Sequence, residues 1–471
     1  MTIHFGIFDY IIIILYFLGV LYVGFRTKPT DQSNLEYLVA GRRLTLPAFV
    51  ATLVSTFYGG ILGIGEFTYY FGVSSWFLYA FPYYLFITIF AIFLAKKIRR
   101  TKLYTIPDKL EQTYGKNVSI LGAFFVFFLI TPAPYIFMLG ILTQLIFGWS
   151  LLVSMIVILV FSVTYLFKGG LTADVRVNVL EFILMFAGFG IILPFCFLKL
   201  GGLDFLTNNL PSTHLNFTGG NSLQYIIVWF FIGAWALVDP SFHQRCYAAK
   251  NESTAKNGIF VSLIFWFIFD FLTTTSGLYA AAHIKGLENP AMSYPLLADE
   301  ILPTIAKGFF FIGMIATIMS TLHSYIFISA TTLGKDIICK IKNISDEKNS
   351  YSKLGIVITS IISVLIVILI PSVVEIWYTI GSLIIPALLI SVVSSYSDKL
   401  TIDKIWIFAA MCVSFIVSFS SFLYGNFNKF AEQPVYLFNI EPIYPGLILG
   451  LIIYIIGYIL NSRSNNILIL K

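Results

Sequence analysis

Charged side chains are scarce in this sequence. Asp, Glu, Lys and Arg make up 11% of the 471 residues, whereas hydrophobic residues make up 58%. A soluble domain carries about 25% charged residues, and a soluble globule of this length has too little interior to hide so much apolar surface. The composition therefore excludes a soluble protein and predicts a polytopic protein that lies in a lipid bilayer.

Motifs for catalysis and metal binding are also lacking. The four cysteines, Cys196, Cys246, Cys339 and Cys412, show neither metal-ligand spacing nor a disulfide framework. The sequence contains no nucleotide loop and no Ser/His/Asp arrangement, and Gly63-Ile-Gly65 is too short for a dinucleotide fingerprint. We therefore expect no enzyme, no nucleic-acid partner and no obligatory protein partner. Since no polar segment is long enough to fold alone, residues 1–471 are predicted to form one transmembrane domain.

Apolar runs of membrane-spanning length recur along the whole chain. They predict about thirteen spans, of which the first has no cleavage site after it and is interpreted as a retained helix. The predicted spans are 7–25, 46–71, 76–94, 118–147, 151–167, 175–198, 223–242, 258–283, 303–333, 354–371, 374–396, 402–424 and 443–460.

The Lys and Arg residues predict the orientation of these spans. If the N-terminus lies outside, the 29 basic residues fall on the inner side except for Lys199, Lys285, Lys307 and Lys429. Cytoplasmic loops carry an excess of Lys and Arg. The distribution therefore predicts an external N-terminus and an internal C-terminus, and we expect a multi-pass protein of a cell membrane, the bacterial inner membrane in particular.

Two spans are interrupted, the second close to its midpoint and the seventh in its inner half. Gly59-Gly60 divides the second span, and Asp239-Pro240 interrupts the seventh. Consecutive glycines favour unwinding, and proline kinks or ends a helix. Because the two spans lie an odd number of crossings apart, we predict inverted repeats over 46–198 and 223–396, each opening with a broken helix. The segment 7–25 is then a leading helix, and 402–460 holds two trailing helices.

A stripe of hydroxyl groups follows one face of the ninth span. Thr317, Ser320, Thr321 and Ser324 are spaced at i, i+3, i+4 and i+7. The first three lie at the depth of the Gly59-Gly60 break, where an unwound helix exposes backbone carbonyls. These oxygens would suit a hard monovalent cation such as sodium, but interhelical hydrogen bonding explains the pattern equally well.

Other polar and aromatic residues within the spans have open roles. Glu66, Asp270 and His323 are candidates for substrate or proton contact, with packing as the alternative, because ionisable groups at this depth are rare. Asp239 is interpreted either as a salt-bridge partner of Arg245 or as a helix-end charge. Candidates for the wall of a central pocket are Phe57, Tyr58, Trp229, Phe230 and Trp235.

Four segments together resemble the sodium:solute symporter family, which includes sodium/proline, sodium/pantothenate and sodium/glucose transporters. They are Tyr37–Arg43, Lys168–Leu171, Asp239–Lys250 and Met319–Ser324. The resemblance implies an all-α polytopic membrane protein with a LeuT-like core of two inverted repeats of five helices each. It also implies a solute site at the helix breaks, so that Gly59, Gly60 and Glu66 join the aromatic candidates.

The resemblance implies particular roles for the hydroxyl stripe. In the family, sodium is held by two carbonyls at the first break and three oxygens of the later helix. These positions fall on the carbonyls of Ser55, Tyr58 and Thr317 and the hydroxyls of Ser320 and Thr321, which leaves Ser324 to helix packing.

The sequence departs from the family pattern at two positions. Where this chain has Phe57, family members often carry Asp or Asn. Where it has Asn178, they often carry Asp. Asp174 or Glu181 then substitutes for the missing carboxylate on the path by which sodium leaves.

The expected function is sodium-coupled symport of a small organic solute, such as an amino acid, a carboxylate or vitamin, or a sugar. Proton coupling through Glu66, Asp270 or His323 is one alternative, and a membrane sensor without transport is another. No Lys or Arg is predicted at mid-bilayer, so a carboxylate solute would depend on the helix ends and a neutral polar solute is equally allowed. The sequence therefore leaves the solute undetermined.

Overall fold

The computed structural model describes residues 3–27, 33–164, 166–345, 349–430 and 433–469. Strands in these residues are limited to the antiparallel pair Lys429–Phe430 and Gln433–Pro434. The helices of the first half are α1 (Ile7–Arg26), α2 (Asn34–Val39), α3 (Leu46–Phe57), α4 (Ile61–Phe71), α5 (Phe81–Ile89), α6 (Ala95–Thr101), α7 (Ile106–Tyr114), α8 (Lys116–Leu129), α9 (Ala133–Phe147), α10 (Leu151–Val163), α11 (Leu166–Leu200) and α12 (Leu203–Asn209). Those of the second half are α13 (Leu223–Ile232), α14 (Trp235–Val238), α15 (Pro240–Ala248), α16 (Glu252–His283), α17 (Ser293–Ile301), α18 (Ala306–Thr331), α19 (Lys340–Lys342), α20 (Ser350–Leu369), α21 (Val373–Ser395), α22 (Lys404–Phe427) and α23 (Ile443–Ile469).

Most of these helices are apolar and long. Within the described residues, 11 helical segments are long and apolar enough to cross a membrane, and the bent pair α3 and α4 qualifies when taken together. Short helices joined end to end form some of these segments, such as Trp76–Thr101 and Lys116–Phe147. The fifth predicted span contains the shorter apolar helix α10. The multi-pass character is confirmed, while the number of crossings and their sidedness stay predictions.

The first predicted break lies between α3 and α4, whose axes differ by 56°. Its glycines also allow close packing, because a Cβ atom on Gly59 would lie 2.0 Å from Thr321 Oγ1 and one on Gly60 would lie 2.0 Å from Trp377 Cη2. The glycines therefore provide the interruption of the helix that the sequence predicted and also an approach too close for any side chain.

The second predicted break separates α13, α14 and α15. Asp239 is the N-cap of α15, where Oδ1 accepts a hydrogen bond of 2.7 Å from the backbone N–H of Ser241. Its Oδ2 accepts one of 2.9 Å from the Tyr325 hydroxyl. Asp239 is therefore a helix-end charge, and the alternative of an Asp239–Arg245 salt bridge is wrong because Arg245 pairs elsewhere.

Helix α18 lies at the centre of the molecule and is buried along the whole of its apolar window. Its largest packing partner is α11, and the two backbones meet at Gly188 and Gly313. A Cβ atom on Gly188 would lie 2.7 Å from Gly313 Cα. Small residues at such a crossing let helices approach closely in a membrane. This contact holds the hydroxyl stripe of α18 at a fixed distance from α11.

The leading helix α1 is tied to both of these central helices. The buried Asp9 carboxylate accepts hydrogen bonds from the backbone N–H groups of Ile305 at 2.8 Å and Gly308 at 2.9 Å, at the start of α18. The Tyr16 hydroxyl donates to Glu181 of α11 at 3.0 Å. A carboxylate at a helix N-terminus satisfies free amide groups and matches the helix dipole.

A charged cluster joins the short helix α7 to the segment that follows α18. Asp108 lies 2.6 Å from Lys335 and 3.4 Å from Lys340, and the Thr105 side chain caps the same helix. Burial alone would raise the pKa of the Asp108 carboxyl, but the two ammonium groups hold that pKa below its ordinary value. Asp108 therefore stays ionised at neutral pH and anchors α7.

Substitution of Gly188 tests the contact between α11 and α18. We expect G188A to lower the thermal unfolding midpoint in detergent, by an amount equivalent to about 1–3 kcal/mol, because the added methyl group meets backbone atoms that cannot move independently. The matched control is G190A in the same helix, where a Cβ atom would meet nothing within 4 Å. Equal midpoints for the two variants would contradict the contact.

Candidate functional site

The hydroxyl stripe of α18 meets the end of α3. Ser320 Oγ lies 2.9 Å from the Ser55 carbonyl oxygen and 2.9 Å from the Thr317 carbonyl oxygen. Thr321 Oγ1 lies 2.6 Å from the Thr56 carbonyl oxygen and 3.4 Å from that of Ser55. All of these residues are buried. The crossing thus collects neutral oxygen atoms from two helices at one point.

These contacts follow from the break in the helix. The carbonyl groups in the last turn of α3 have no following helical turn to donate hydrogen bonds to them, and lipid offers no donor. Trp266 Nε1–H donates to the Val54 carbonyl at 3.3 Å, and the α18 hydroxyls donate to the carbonyls of Ser55 and Thr56. The interhelical hydrogen bonding that the sequence allowed is therefore present, and it uses the same oxygens that would bind a cation.

The donor set suits sodium in its chemistry. It consists of carbonyl and hydroxyl oxygens without a carboxylate, and hard cations prefer oxygen ligands. The structure brings Ser55, Thr317, Ser320 and Thr321 together as predicted. Among the hydrogen bonds of the described residues, the second carbonyl at the crossing is that of Thr56, not the predicted one of Tyr58.

The Tyr58 side chain points away from this crossing. Its hydroxyl donates to Asp270 Oδ1 at 2.5 Å and lies 2.8 Å from the Thr273 hydroxyl. The Tyr84 hydroxyl donates to the other oxygen of Asp270. Asp270 is 5% exposed and faces the bundle, not lipid.

A buried ion pair lies one helical turn along α18 from the crossing. Arg245 donates to Asp174 Oδ2 at 2.9 Å, and both side chains are fully buried. The same guanidinium nitrogen lies 2.7 Å from Ser324 Oγ, 3.0 Å from Thr56 Oγ1 and 3.2 Å from Thr52 Oγ1. With Asn178, these residues form the Arg245 cluster.

One sequence interpretation changes at the Arg245 cluster, and the contacts there bear on a second. Ser324, which was assigned to helix packing, donates to Asp174 at 2.7 Å, because the i+7 position continues the stripe onto the ion pair. Asn178 Nδ2 donates to Thr52 at 2.9 Å and to Asp174 at 3.3 Å. Asp174 therefore holds the carboxylate at this position, as expected when Asn178 replaces an acid.

Glu181 lies outside the cluster. It accepts the hydrogen bond from Tyr16, and its Oε1 lies 4.0 Å from His323 Nδ1. Although Asp174, Asn178 and Glu181 share one face of α11, the structure brings only the first two to Arg245.

Two small cavities lie between the broken helix and its neighbours. One is lined by Gly63, Ile64, Phe67, Ser75, Trp76, Tyr79, Ala80, Trp229, Asp270, Thr274 and Trp377. The other is lined by Phe57, Tyr58, Ile64, Tyr79, Ala80, Tyr83, Tyr84, Ile87, Trp266 and Asp270. They share Asp270 and the wall formed by Tyr79, so we treat them as one central site with aromatic walls.

A larger vestibule of about 530 Å³ adjoins the central site. It shares Phe67 and Trp229 with the first cavity and also contains Glu66, which is half-buried there. Of the other predicted pocket residues, Phe230 packs against Phe86 and Trp235 is buried. Neither is among the residues lining these cavities in the described part of the chain.

Sequence reasoning did not identify several residues of the site. Trp377 packs over Gly60 and Gly63 and stacks beside Tyr79, but 17% of the chain is aromatic, so nothing singled it out. Arg245 was connected with Asp239, its neighbour in sequence, whereas its partner Asp174 is far away along the chain. The sequence signal available for the buried role of Arg245 was its position as an isolated Arg near an otherwise uncharged run.

Comparisons with known proteins agree with this architecture. The chain is 24% identical over 451 residues to the sodium/pantothenate symporter of Haemophilus influenzae, covering 91% of this chain and 90% of that protein. It is also 24% identical over 359 residues to the sodium/glucose cotransporter of Vibrio parahaemolyticus, covering 67% of this chain and 65% of that longer protein.

Solved structures show the same fold. A Na+-coupled sialic acid symporter in a substrate-bound outward-open state superposes with a TM-score of 0.80 at 18% identity, covering 97% of both chains. A nucleobase-cation-symport-1 family transporter in a closed conformation superposes with a TM-score of 0.61 at 13% identity, covering 92% of this chain and 96% of that one. The predicted LeuT-like, all-α membrane fold is thereby confirmed.

The sequence model of the sodium:solute symporter family matches residues 37–411 of this chain. This range includes both broken helices, the hydroxyl stripe and the Arg245 cluster. This chain therefore belongs to the sodium:solute symporter family.

Proposed function

We propose that the protein uses inward sodium movement to drive uptake of a small organic solute by alternating access across a bacterial cell membrane. The observation that carries the proposal is the crossing of α3 and α18, where carbonyl and hydroxyl oxygens converge at a helix break. Its relatives include symporters named for sodium with pantothenate or glucose, which supports the same type of coupling here. The solute itself is not set by these names.

Sodium can replace the hydrogen bonds at the crossing without leaving an oxygen unsatisfied. Each hydroxyl rotates its proton away and offers a lone pair, while the carbonyls of Ser55, Thr56 and Thr317 turn from hydrogen-bond acceptors into ligands. Because the oxygens come from two helices, the ion would hold α3 and α18 together. Binding of sodium would thereby stabilise the arrangement that also shapes the central site.

The solute would enter through the vestibule and the sodium ion would leave past the Arg245 cluster. On the predicted orientation, the vestibule is external and Ser324 lies on the inner side of Ser320. On the same orientation the packed cluster would close the inner side, since Arg245 and Asp174 are fully buried. Release of sodium then requires α3, α11 and α15 to separate, and Asp174 and Asn178 would line the exit.

The membrane potential would drive this cycle. Moving one positive charge across the membrane contributes about 2.3 kcal/mol for each 100 mV, and the concentration gradient of sodium adds to it. The site needs no tight affinity, because the ion must also be released.

Removal of both hydroxyls from the crossing tests the sodium site. We expect S320A/T321V to require at least roughly tenfold more sodium for half-maximal thermal stabilisation, because two ligands are lost and a factor of ten corresponds to about 1.4 kcal/mol. The measurement is the unfolding midpoint in detergent as sodium chloride replaces potassium chloride.

The control is S329A, which removes a buried hydroxyl from the same helix away from the crossing. An unchanged sodium titration in S320A/T321V would reject the site. A wild-type protein that ignores sodium but accumulates solute under a pH gradient would favour proton coupling, and tight binding without vesicle uptake would favour a sensor.

Disruption of the Arg245 cluster tests the inner closure. We expect D174N to lower stability by about 3–5 kcal/mol, because it leaves the buried guanidinium without its counter-charge. The double variant D174N/R245M should recover much of this loss, since it removes both charges. The measurement is again the thermal unfolding midpoint.

The control is R100Q, which breaks an ion pair with Glu252 in which the Arg100 side chain is 66% exposed. Exposed pairs contribute about 0–1 kcal/mol. The assigned pairing is wrong if D174N proves no more harmful than R100Q.

A further inference from the structure

The Asp270 carboxyl at the central site has no basic partner within the described residues. Asp270 lines both cavities, and no Lys, Arg or His is among the residues that line either of them. Asp270 also takes part in no ion pair of the described residues. Its hydrogen-bond partners are the Tyr58 and Tyr84 hydroxyls and so are neutral.

Three other buried acids have a source of positive charge, whereas Glu181 is held by the Tyr16 hydroxyl. Asp9 and Asp239 accept hydrogen bonds from backbone amides at the starts of α18 and α15, and Asp174 pairs with Arg245. Helix N-termini and guanidinium groups both stabilise a carboxylate. Asp270, in contrast, lies in the interior of α16, far from either helix end. A buried carboxylate without such a partner is costly, which indicates that the missing partner comes from outside the protein.

The walls of the cavity favour a cation as well. Trp76, Tyr79, Trp229 and Trp377 line the first cavity together with Asp270. The faces of aromatic rings attract cations, and the attraction strengthens away from water. The faces of these rings and Asp270 would repel an anion, and no Lys, Arg or His in the described part of the chain lines the cavity to balance one.

A second group at the site lacks a well-formed hydrogen bond. Trp229 is 2% exposed, and its Nε1–H has the Tyr225 hydroxyl as a neighbour but makes no hydrogen bond of good geometry within the described residues. This donor lines the same cavity as Asp270. An acceptor oxygen on the bound molecule would satisfy the Trp229 Nε1–H donor. Asp270 and Trp229 together therefore favour a ligand with a positively charged group and an oxygen atom.

We propose that the transported solute carries a cationic amino group, which Asp270 and the surrounding aromatic rings bind, and an oxygen that accepts from Trp229. This inference rests on the proposed symport function and narrows it: of the solutes considered from the sequence, it favours amino acids and other oxygen-bearing amines over sugars and vitamins without an amine.

Matched pairs of compounds test the charge requirement. The probes are choline with its neutral isostere 3,3-dimethyl-1-butanol, ethanolamine with ethylene glycol, and the amino acids glycine and proline with acetate and cyclopentanecarboxylate. We expect thermal stabilisation of the detergent-solubilised wild-type protein by at least one amine and by none of the amine-free partners. Stabilisation by an amine-free member, or by no amine, would overturn the proposal.

Variants of Asp270 locate the charge. For an amine that stabilises the wild type, D270N should weaken binding roughly 30-fold or more, which corresponds to about 2 kcal/mol. D270E keeps the charge and should retain part of the affinity, so that a general loss of folding in D270N can be recognised. The control E252Q neutralises a partly exposed acid in the first turn of the same helix, away from both central cavities, and it should bind the amine as the wild type does. Equal affinity in D270N and wild type would overturn the proposal.

Measurements with and without sodium distinguish a failure of the amine assignment from a failure of the symport proposal. Amine binding is measured both with and without sodium. Sodium-driven uptake of an amine-free solute would leave symport standing and overturn the amine assignment, whereas amine binding that sodium neither strengthens nor drives into vesicles would support the assignment and reject sodium coupling.

Discussion

The backbone carbonyls left free at the end of α3 are the constraint on which the rest of the structure depends. In lipid, each of them must find a donor or a cation within the protein. The hydroxyls of α18 and the indole of Trp266 are placed where those carbonyls emerge. The position of α18, its complete burial and the glycine contact with α11 all follow from the need to bring donors to a helix that stops in mid-membrane.

The buried charges are organised around the same axis. Asp239 and Asp9 use the starts of helices, and Asp174 uses Arg245. Each arrangement balances charge without water, which is what a site at this depth requires. The Asp270 carboxylate is the departure from this rule among these acids, and it is also the one that lines the cavity.

Much of the fold could be predicted because its signals are local or periodic. Apolar length identifies spans, Gly59-Gly60 and Asp239-Pro240 identify the breaks, and the spacing of Thr317, Ser320 and Thr321 identifies the face that meets α3. These features depend on neighbours in sequence, and the structure agrees with them. Helix α10 shows the limit of these signals. It is shorter than the span predicted there, because the length of an apolar run does not determine how many of its residues are helical.

The remaining features depend on contacts between distant segments. Ser55 and Thr56, not Tyr58, meet the α18 hydroxyls because the chain turns by 56° after Phe57, an angle that two glycines permit but do not specify. Arg245 prefers Asp174 to the nearby Asp239 because a helix end already satisfies the latter. Trp377 is placed by the packing of α21 on the glycines, which no periodicity in its own helix reveals.

The attachments of α1 restrict how the molecule can rearrange. Asp9 accepts a hydrogen bond from the start of α18, and the Tyr16 hydroxyl donates one to Glu181 in the middle of α11. A helix fastened to two others at different heights prevents them from tilting relative to each other. Helices α1, α11 and α18 would therefore move as one rigid body, and any exchange of access between the two faces of the membrane would come from displacement of the broken helices against that body.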